Sequence, residues 1–263
     1  MVVLQVIGGG RMGEALVGGL LRAGTVAAAD VRVVEPIEGR RKELADLWPG
    51  VEVATEPGPA EGTVIAVKPG DVATACRAAA AAGSGRVLSI AAGVTLAALE
   101  AALAPGTPVV RAMPNTPALA GVGAAAIAPG STATDDDLSW AESLLGAVGI
   151  VVRVKEPLLD AVTGLSGSGP AYVFLVAEAL IDAGVLAGLP RDVSSTLAIQ
   201  TLLGAATLLA DGRDGPEALR AAVTSPGGTT AAGLRALEGH GLRAAFLYAV
   251  TAATERSREL GQA

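Results

Sequence analysis

Cysteine, histidine, lysine and aromatic residues are all scarce in this chain, and each scarcity narrows the chemistry open to it. A single cysteine, Cys76, excludes an internal disulfide and a thiolate zinc cluster, and fits a reducing compartment. The one histidine is His240, and the lysines are Lys42, Lys68 and Lys155. Everything beyond Lys155 must therefore use hydroxyls, carboxylates, water or His240 for any proton chemistry. With two each of Trp, Tyr and Phe, the interior must be filled by small and aliphatic residues, which favours helices packed closely on a parallel sheet. Basic residues are outnumbered, and the formal net charge of −7 argues against nucleic acid as a partner. No basic stretch precedes the apolar residues 2–7, so no secretory signal is expected. No long apolar run suggests a membrane span. The expected location is cytoplasmic, with no metal, membrane or nucleic-acid partner.

What is present falls into two halves of different character. A length of 263 residues suits one large domain or two ordinary ones. In the first half, apolar runs predict strands at 2–7, 31–34, 63–67, 86–90, 109–112, 124–129 and 149–154. Helical patterns lie between most of them, at 14–23, 40–47, 72–82, 96–103 and 135–146. That alternation predicts a Rossmann-type, doubly wound parallel sheet. Beyond residue 155 the strand signal stops. Helices are expected at 171–183, 190–210, 216–223, 230–237 and 242–260. The fold class is thus α/β, with a dinucleotide-binding domain over 1–157 and an all-helical domain over 158–263. Ala171–Ala183 is apolar nearly all round, interrupted by Glu178 and Asp182, so it needs cover on most sides, and a partner subunit is a source of it.

Two segments carry chemistry. Gly8-x-Gly10-x-x-Gly13 follows a predicted strand and opens a predicted helix, the context in which this spacing binds a dinucleotide. The glycines allow a tight turn and close approach of the pyrophosphate, and the helix N-terminus supplies N–H donors. At the end of the second strand, Glu35 suits a ribose 2′-hydroxyl, whereas Arg40 and Arg41 suit a 2′-phosphate. These residues leave NADPH and NADH both open. The second segment, Thr224-Ser225-Pro226-Gly227-Gly228-Thr229-Thr230, is a hydroxyl- and glycine-rich turn able to hold a small carboxylate on the N–H groups of Gly228, Thr229 and Thr230. Its bland alternative is that the hydroxyls only cap the following helix. Cys76 reads as a small core residue, and His240 as a turn residue.

Six segments in order resemble those of the pyrroline-5-carboxylate reductase family: Ile7–Gly13, Ala66–Pro69, Ser89–Gly93, Arg111–Pro117, Thr163–Tyr172 and Thr224–Thr230. The likeness departs locally at Ala221 or Ala222, where the family often carries an acidic or amide residue. The resemblance implies NAD(P)H-dependent reduction of L-1-pyrroline-5-carboxylate to L-proline, a helical dimerisation domain, a homodimer, and assembly up to decamers. It further implies that Gly8, Gly9, Gly10, Arg11, Met12, Gly13, Glu35, Arg40, Ala66, Val67, Lys68, Pro69, Ala91, Ala92, Met113 and Asn115 serve the cofactor. Ser225, Gly228, Thr229 and Thr230 would then hold the substrate, with the Thr230 hydroxyl on the ring nitrogen. Two other readings compete. A β-hydroxyacid dehydrogenase would need a lysine in the helical half, which is lacking; a non-catalytic nucleotide sensor would not need the Ser225–Thr230 turn.

Overall fold

A computed structural model describes residues 2–262. The first half forms one eight-stranded sheet of β1 (Val2–Ile7), β2 (Val31–Val34), β3 (Glu52–Ala54), β4 (Ala60–Ile65), β5 (Ser84–Ser89), β6 (Val109–Met113), β7 (Gly123–Pro129) and β8 (Gly149–Arg153). Its order is β3-β2-β1-β4-β5-β6-β7-β8. The helices are α1 (Arg11–Ala23), α2 (Glu38–Leu47), α3 (Val72–Ala81), α4 (Leu96–Ala102) and α5 (Asp135–Gly146). Side chains alternate across the pleat. Leu4, Val6, Val64 and Leu88 therefore enter one core with Leu16 and Leu20 of α1. Their neighbours Ile7, Ile65 and Val87 enter the opposite one with Cys76 and Leu99. Strand order reverses at β1, which pairs in parallel with both β2 and β4. That reversal is where an open α/β sheet binds ligands at its strand C-termini.

Two features of the sheet depart from expectation. β6 and β7 are antiparallel. Only a short 3₁₀ turn, Thr116–Ala120, joins them, whereas a parallel return needs about a dozen residues or more. The short edge strand β3 is too brief to leave a periodic signal, and β2 recruits it in parallel register.

After β8 come a short helix α6 (Leu159–Val162) and a π-helical turn, Thr163–Gly167. Then follow α7 (Gly169–Leu186), α8 (Arg191–Ala210), α9 (Pro216–Ala222), α10 (Thr229–Gly239) and α11 (Leu242–Gln262). The chain divides into two compact units. One runs up to Ser168 and takes up α11 again from Thr251; the other is Gly169–Val250. Ser257 of α11 donates to Asp160 Oδ1 of α6 at 2.7 Å inside the first unit. In the second, Gly184 of α7 meets Ser194 of α8, whose hydroxyl donates to the Ile181 carbonyl at 2.7 Å. No residue of α7 is buried within this chain. The helical runs Glu156–Leu186 and Arg191–Ala210 are long and apolar enough to cross a bilayer by length and composition. This corrects the expectation that no segment has that character: the first run joins short helical turns to α7 across Ser168, and both runs tolerate a few charged residues.

Candidate cofactor and anion sites

The loop after β1 is built where a side chain cannot go. Gly8 stands at φ +110°, and a Cβ on it would lie 2.5 Å from the Ala66 carbonyl oxygen. A Cβ on Gly13 would collide with the Gly8 carbonyl oxygen, so α1 crosses the loop in van der Waals contact. Gly8 N–H donates to the Val34 carbonyl and Ala66 N–H to the Ile7 carbonyl, which ties the loop to β2 and to the end of β4. Gly10 caps α1 in extended geometry with no side-chain cap bond and has open space where its Cβ would be. An uncapped helix N-terminus facing open space suits a pyrophosphate, so these residues fit a dinucleotide. Arg11 is exposed and Met12 half-buried beside it.

Glu35 and Arg40 lie against this loop. Glu35 is buried and accepts from Gly9 N–H at 3.1 Å and from Ile37 N–H at 3.0 Å. Arg40 Nε donates to the Gly9 carbonyl at 2.8 Å, while its other nitrogens pair with Glu43 and Glu14. Those two carboxylates, Glu43 first, hold the Arg40 guanidinium above its ordinary pKa. Arg41 donates through Nη1 to the carbonyls of Glu35 and Pro36.

Along the same strand ends, Ala66 and Val67 are half-buried, Lys68 and Pro69 exposed, Ala91 buried and Ala92 exposed. Met113 is packed by its tip near Gly167, and Asn115 bridges two segments. Its amide donates to the Ser166 carbonyl at 3.1 Å and its oxygen accepts from Ala124 N–H at 2.9 Å. The π-helical turn is thereby pegged to the end of β6. Sequence reasoning missed one partly buried ion pair, Arg111 with Glu156 at 2.9 Å. Glu156 Oε1 also accepts from Leu96 N–H at 2.6 Å, so one carboxylate joins β6, the start of α4 and the segment before α6. The separation of 45 positions between the two charges leaves no local pattern by which to find it.

In the helical unit, the turn before α10 has Gly227 at φ +71°, left-handed backbone that glycine adopts at no steric cost. Gly228 N–H donates to the Ser225 carbonyl at 3.0 Å, and a Cβ on Gly228 would collide with the Ser225 hydroxyl. Gly228 is the N-cap of α10, extended, with no side-chain cap bond. The N-cap position itself thus carries no side-chain cap, being a glycine. The N–H groups of Thr229 and Thr230 and the hydroxyls beside them remain open to an anion, in contrast to α5, whose Thr134 and Asp137 form a reciprocal capping box.

Known proteins place these two sites in context. Residues 156–260 match the family model for pyrroline-5-carboxylate reductase dimerisation, and residues 3–93 match that for coenzyme F420-dependent NADP oxidoreductases. The chain is 45% identical over 269 residues to the pyrroline-5-carboxylate reductase of Synechocystis sp., with 99% of each chain covered. A solved pyrroline-5-carboxylate reductase from Coxiella burnetii superposes with a TM-score of 0.93 at 35% identity, covering 98% of both chains. The Plasmodium falciparum pyrroline carboxylate reductase, solved with NADP bound, superposes at 0.83 with 28% identity, covering 99% of this chain and 98% of that one. Identity of this order along nearly the whole length settles the assignment: the chain belongs to the pyrroline-5-carboxylate reductase family.

Proposed function

We propose that this chain transfers hydride from NADPH, with NADH as the alternative donor, to the C=N carbon of L-1-pyrroline-5-carboxylate, giving L-proline. The observation that carries the reading is the uncapped Ser225–Thr230 turn, in a chain whose sheet ends in an open glycine loop. The bound nicotinamide supplies the hydride; the protein's own residues hold and orient the substrate around it. N–H groups of Thr229 and Thr230, with the Ser225 hydroxyl, bind the substrate carboxylate at the start of α10, and Gly228, whose own N–H closes the turn on the Ser225 carbonyl, leaves room for it. The Thr230 hydroxyl hydrogen-bonds the ring nitrogen, which takes one proton from water, and hydride then adds to the carbon so that C=N becomes CH–NH. A protonated imine is already electrophilic, so little acid catalysis is needed and positioning supplies most of the rate. That is chemistry open to a helical half without lysine.

The Gly8–Gly13 loop takes the pyrophosphate, with Gly9 part of its frame, Glu35 and Arg40 shape the ribose end, and Ala66–Pro69, Ala91, Ala92, Met113 and Asn115 border the nicotinamide side. Functionally, the cofactor domain is 1–157 and the substrate and dimerisation domain 158–263. The unburied apolar face of α7 supports a homodimer through the helical domain, with decamers as assemblies of dimers. It pairs with protein rather than membrane, and the protein acts in the cytoplasm without nucleic acid or metal.

Purified protein given L-1-pyrroline-5-carboxylate and NADPH should consume nicotinamide absorbance while proline accumulates one for one. Background rates with this imine, together with NADP⁺ reduction by a 3-hydroxy acid, would replace the reading with a β-hydroxyacid dehydrogenase. Nucleotide binding without turnover of either would replace it with a sensor.

A further inference from the structure

The peptide of Gly9 is held at both ends by side chains from the segment that follows β2. Its N–H donates to Glu35 Oε2 at 3.1 Å, and its carbonyl accepts from Arg40 Nε at 2.8 Å. Leu44 closes a third side, since a Cβ on Gly9 would lie 2.5 Å from its Cδ1. Neither hydrogen-bonding group of Gly9 is left for a nucleotide, although it sits in the middle of the phosphate loop. Arg40 is equally committed. Its remaining nitrogens meet Glu43 and Glu14, so one positive charge lies between two negative ones. A phosphate dianion approaching that guanidinium would meet a net negative surround.

Arg41 is the opposite case. Its Nη1 rests on two uncharged carbonyls, Glu35 at 3.0 Å and Pro36 at 2.7 Å, at the C-terminal end of β2. Among the described residues it pairs with no carboxylate. In a Rossmann sheet that strand end faces the adenosine ribose. Oriented by the carbonyls and not neutralised, the guanidinium keeps the rest of its planar fork for bidentate contact with phosphate oxygens.

We propose that the adjacent arginines have separate tasks: Arg40, with Glu35, clasps the Gly9 peptide and positions the phosphate loop, whereas Arg41 meets the 2′-phosphate of the nucleotide. The proposal rests on the nucleotide reading above and assigns its specificity to one residue. Arg40 is a positioning residue that serves any dinucleotide; Arg41 separates those that carry a 2′-phosphate from those that do not.

Calorimetric titration of the full-length protein with ADP-ribose and with 2′-phospho-ADP-ribose tests this without turnover. Arg41→Ala should weaken the phosphorylated probe about tenfold or more, the worth of a charged hydrogen bond, and ADP-ribose by less than about twofold. Arg40→Ala should weaken both probes by the same factor. Arg40→Lys, which keeps a cationic donor for the Gly9 carbonyl, should recover most of that loss for both. Selective loss of the phosphorylated probe in either Arg40 variant, or equal losses in Arg41→Ala, would overturn the division. Because Arg41 rests on the surface end of β2, its variant decides the question even if Arg40→Ala does not fold. Wild-type protein that binds neither probe would overturn the nucleotide reading itself, and the division with it.

Discussion

The C-terminal end of strand β4 and helix α7 both carry apolar side chains, yet they treat them in opposite ways. Val64 and Ile65 are wholly buried, because helices of the same unit cover both faces of the sheet. Phe174 and Leu175 of α7 are 63% and 65% exposed, and Leu180, Val185 and Leu186 are exposed with them. Burial of one such side chain is worth about 1.5–3 kcal/mol, so a helix that leaves several in water forgoes much of its own stabilisation. The sheet-bearing unit is complete within one chain. The helical unit is written for a second surface, and the family model matched by its sequence is one of dimerisation. The site residues follow the same division, with the cofactor loop on the self-sufficient unit and the Ser225–Thr230 turn on the other.

The sharpest way to break this contrast is to make the α7 face polar. The double change Phe174→Asp and Leu175→Asp should abolish assembly and turnover and remove much of the far-ultraviolet helix signal. Trp48 and Trp140 both lie in the sheet-bearing unit, so tryptophan emission should stay native. Quenched or shifted emission in the same variant would show that the units are not independent in this sense. Next in size is Gly13→Ala, whose new Cβ meets the Gly8 carbonyl. Overpacking against backbone costs about 1–3 kcal/mol, so nucleotide affinity should fall about ten- to hundredfold in a titration, with α7 assembly unaffected. Thr230→Ala should lower kcat/KM for the imine by roughly one to two decades while nucleotide affinity holds, and Thr230→Ser should retain most activity. A melting temperature lowered with kcat/KM intact would reduce Thr230 to helix support. Ser225→Ala should chiefly raise KM, since a carboxylate is bound alike in ground and transition states. The smallest effect concerns Cys76. Burial pushes its thiol up to about 11 against the opposing field of Arg77, so at about pH 8 native protein should resist a thiol reagent and react only on unfolding. Rapid modification of native protein would show that the sheet unit opens more readily than its packing implies.

How much of this could be read in advance depends on how local each signal is. The glycine loop was legible because three glycines at fixed spacing after an apolar run have a steric reason to be there. The run of α7, apolar but for Glu178 and Asp182, was legible from composition alone, down to the need for cover from elsewhere. Arg40 with Glu43, three residues apart on one helix, could have been anticipated. Its bonds to Gly9 and Glu14 could not, because they span 31 and 26 residues and exist only once β1 and β2 are paired. Asn115 as a peg to the π-helical turn and Glu156 as the partner of Arg111 are hidden alike. The reversal of β7 was masked because a strand's own pattern says nothing of its direction. Whether Ser225, Thr229 and Thr230 cap α10 was open in sequence, because only the folded backbone shows that a glycine, Gly228, takes the N-cap position.

Sedimentation velocity on the purified wild-type chain, with turnover assayed on the same fractions, tests the central contrast most directly. At about micromolar concentration the material should sediment as a dimer or larger, with imine reduction confined to those boundaries. A stable 25.8 kDa monomer that carries full activity would contradict it, because the helical unit would then need no second chain.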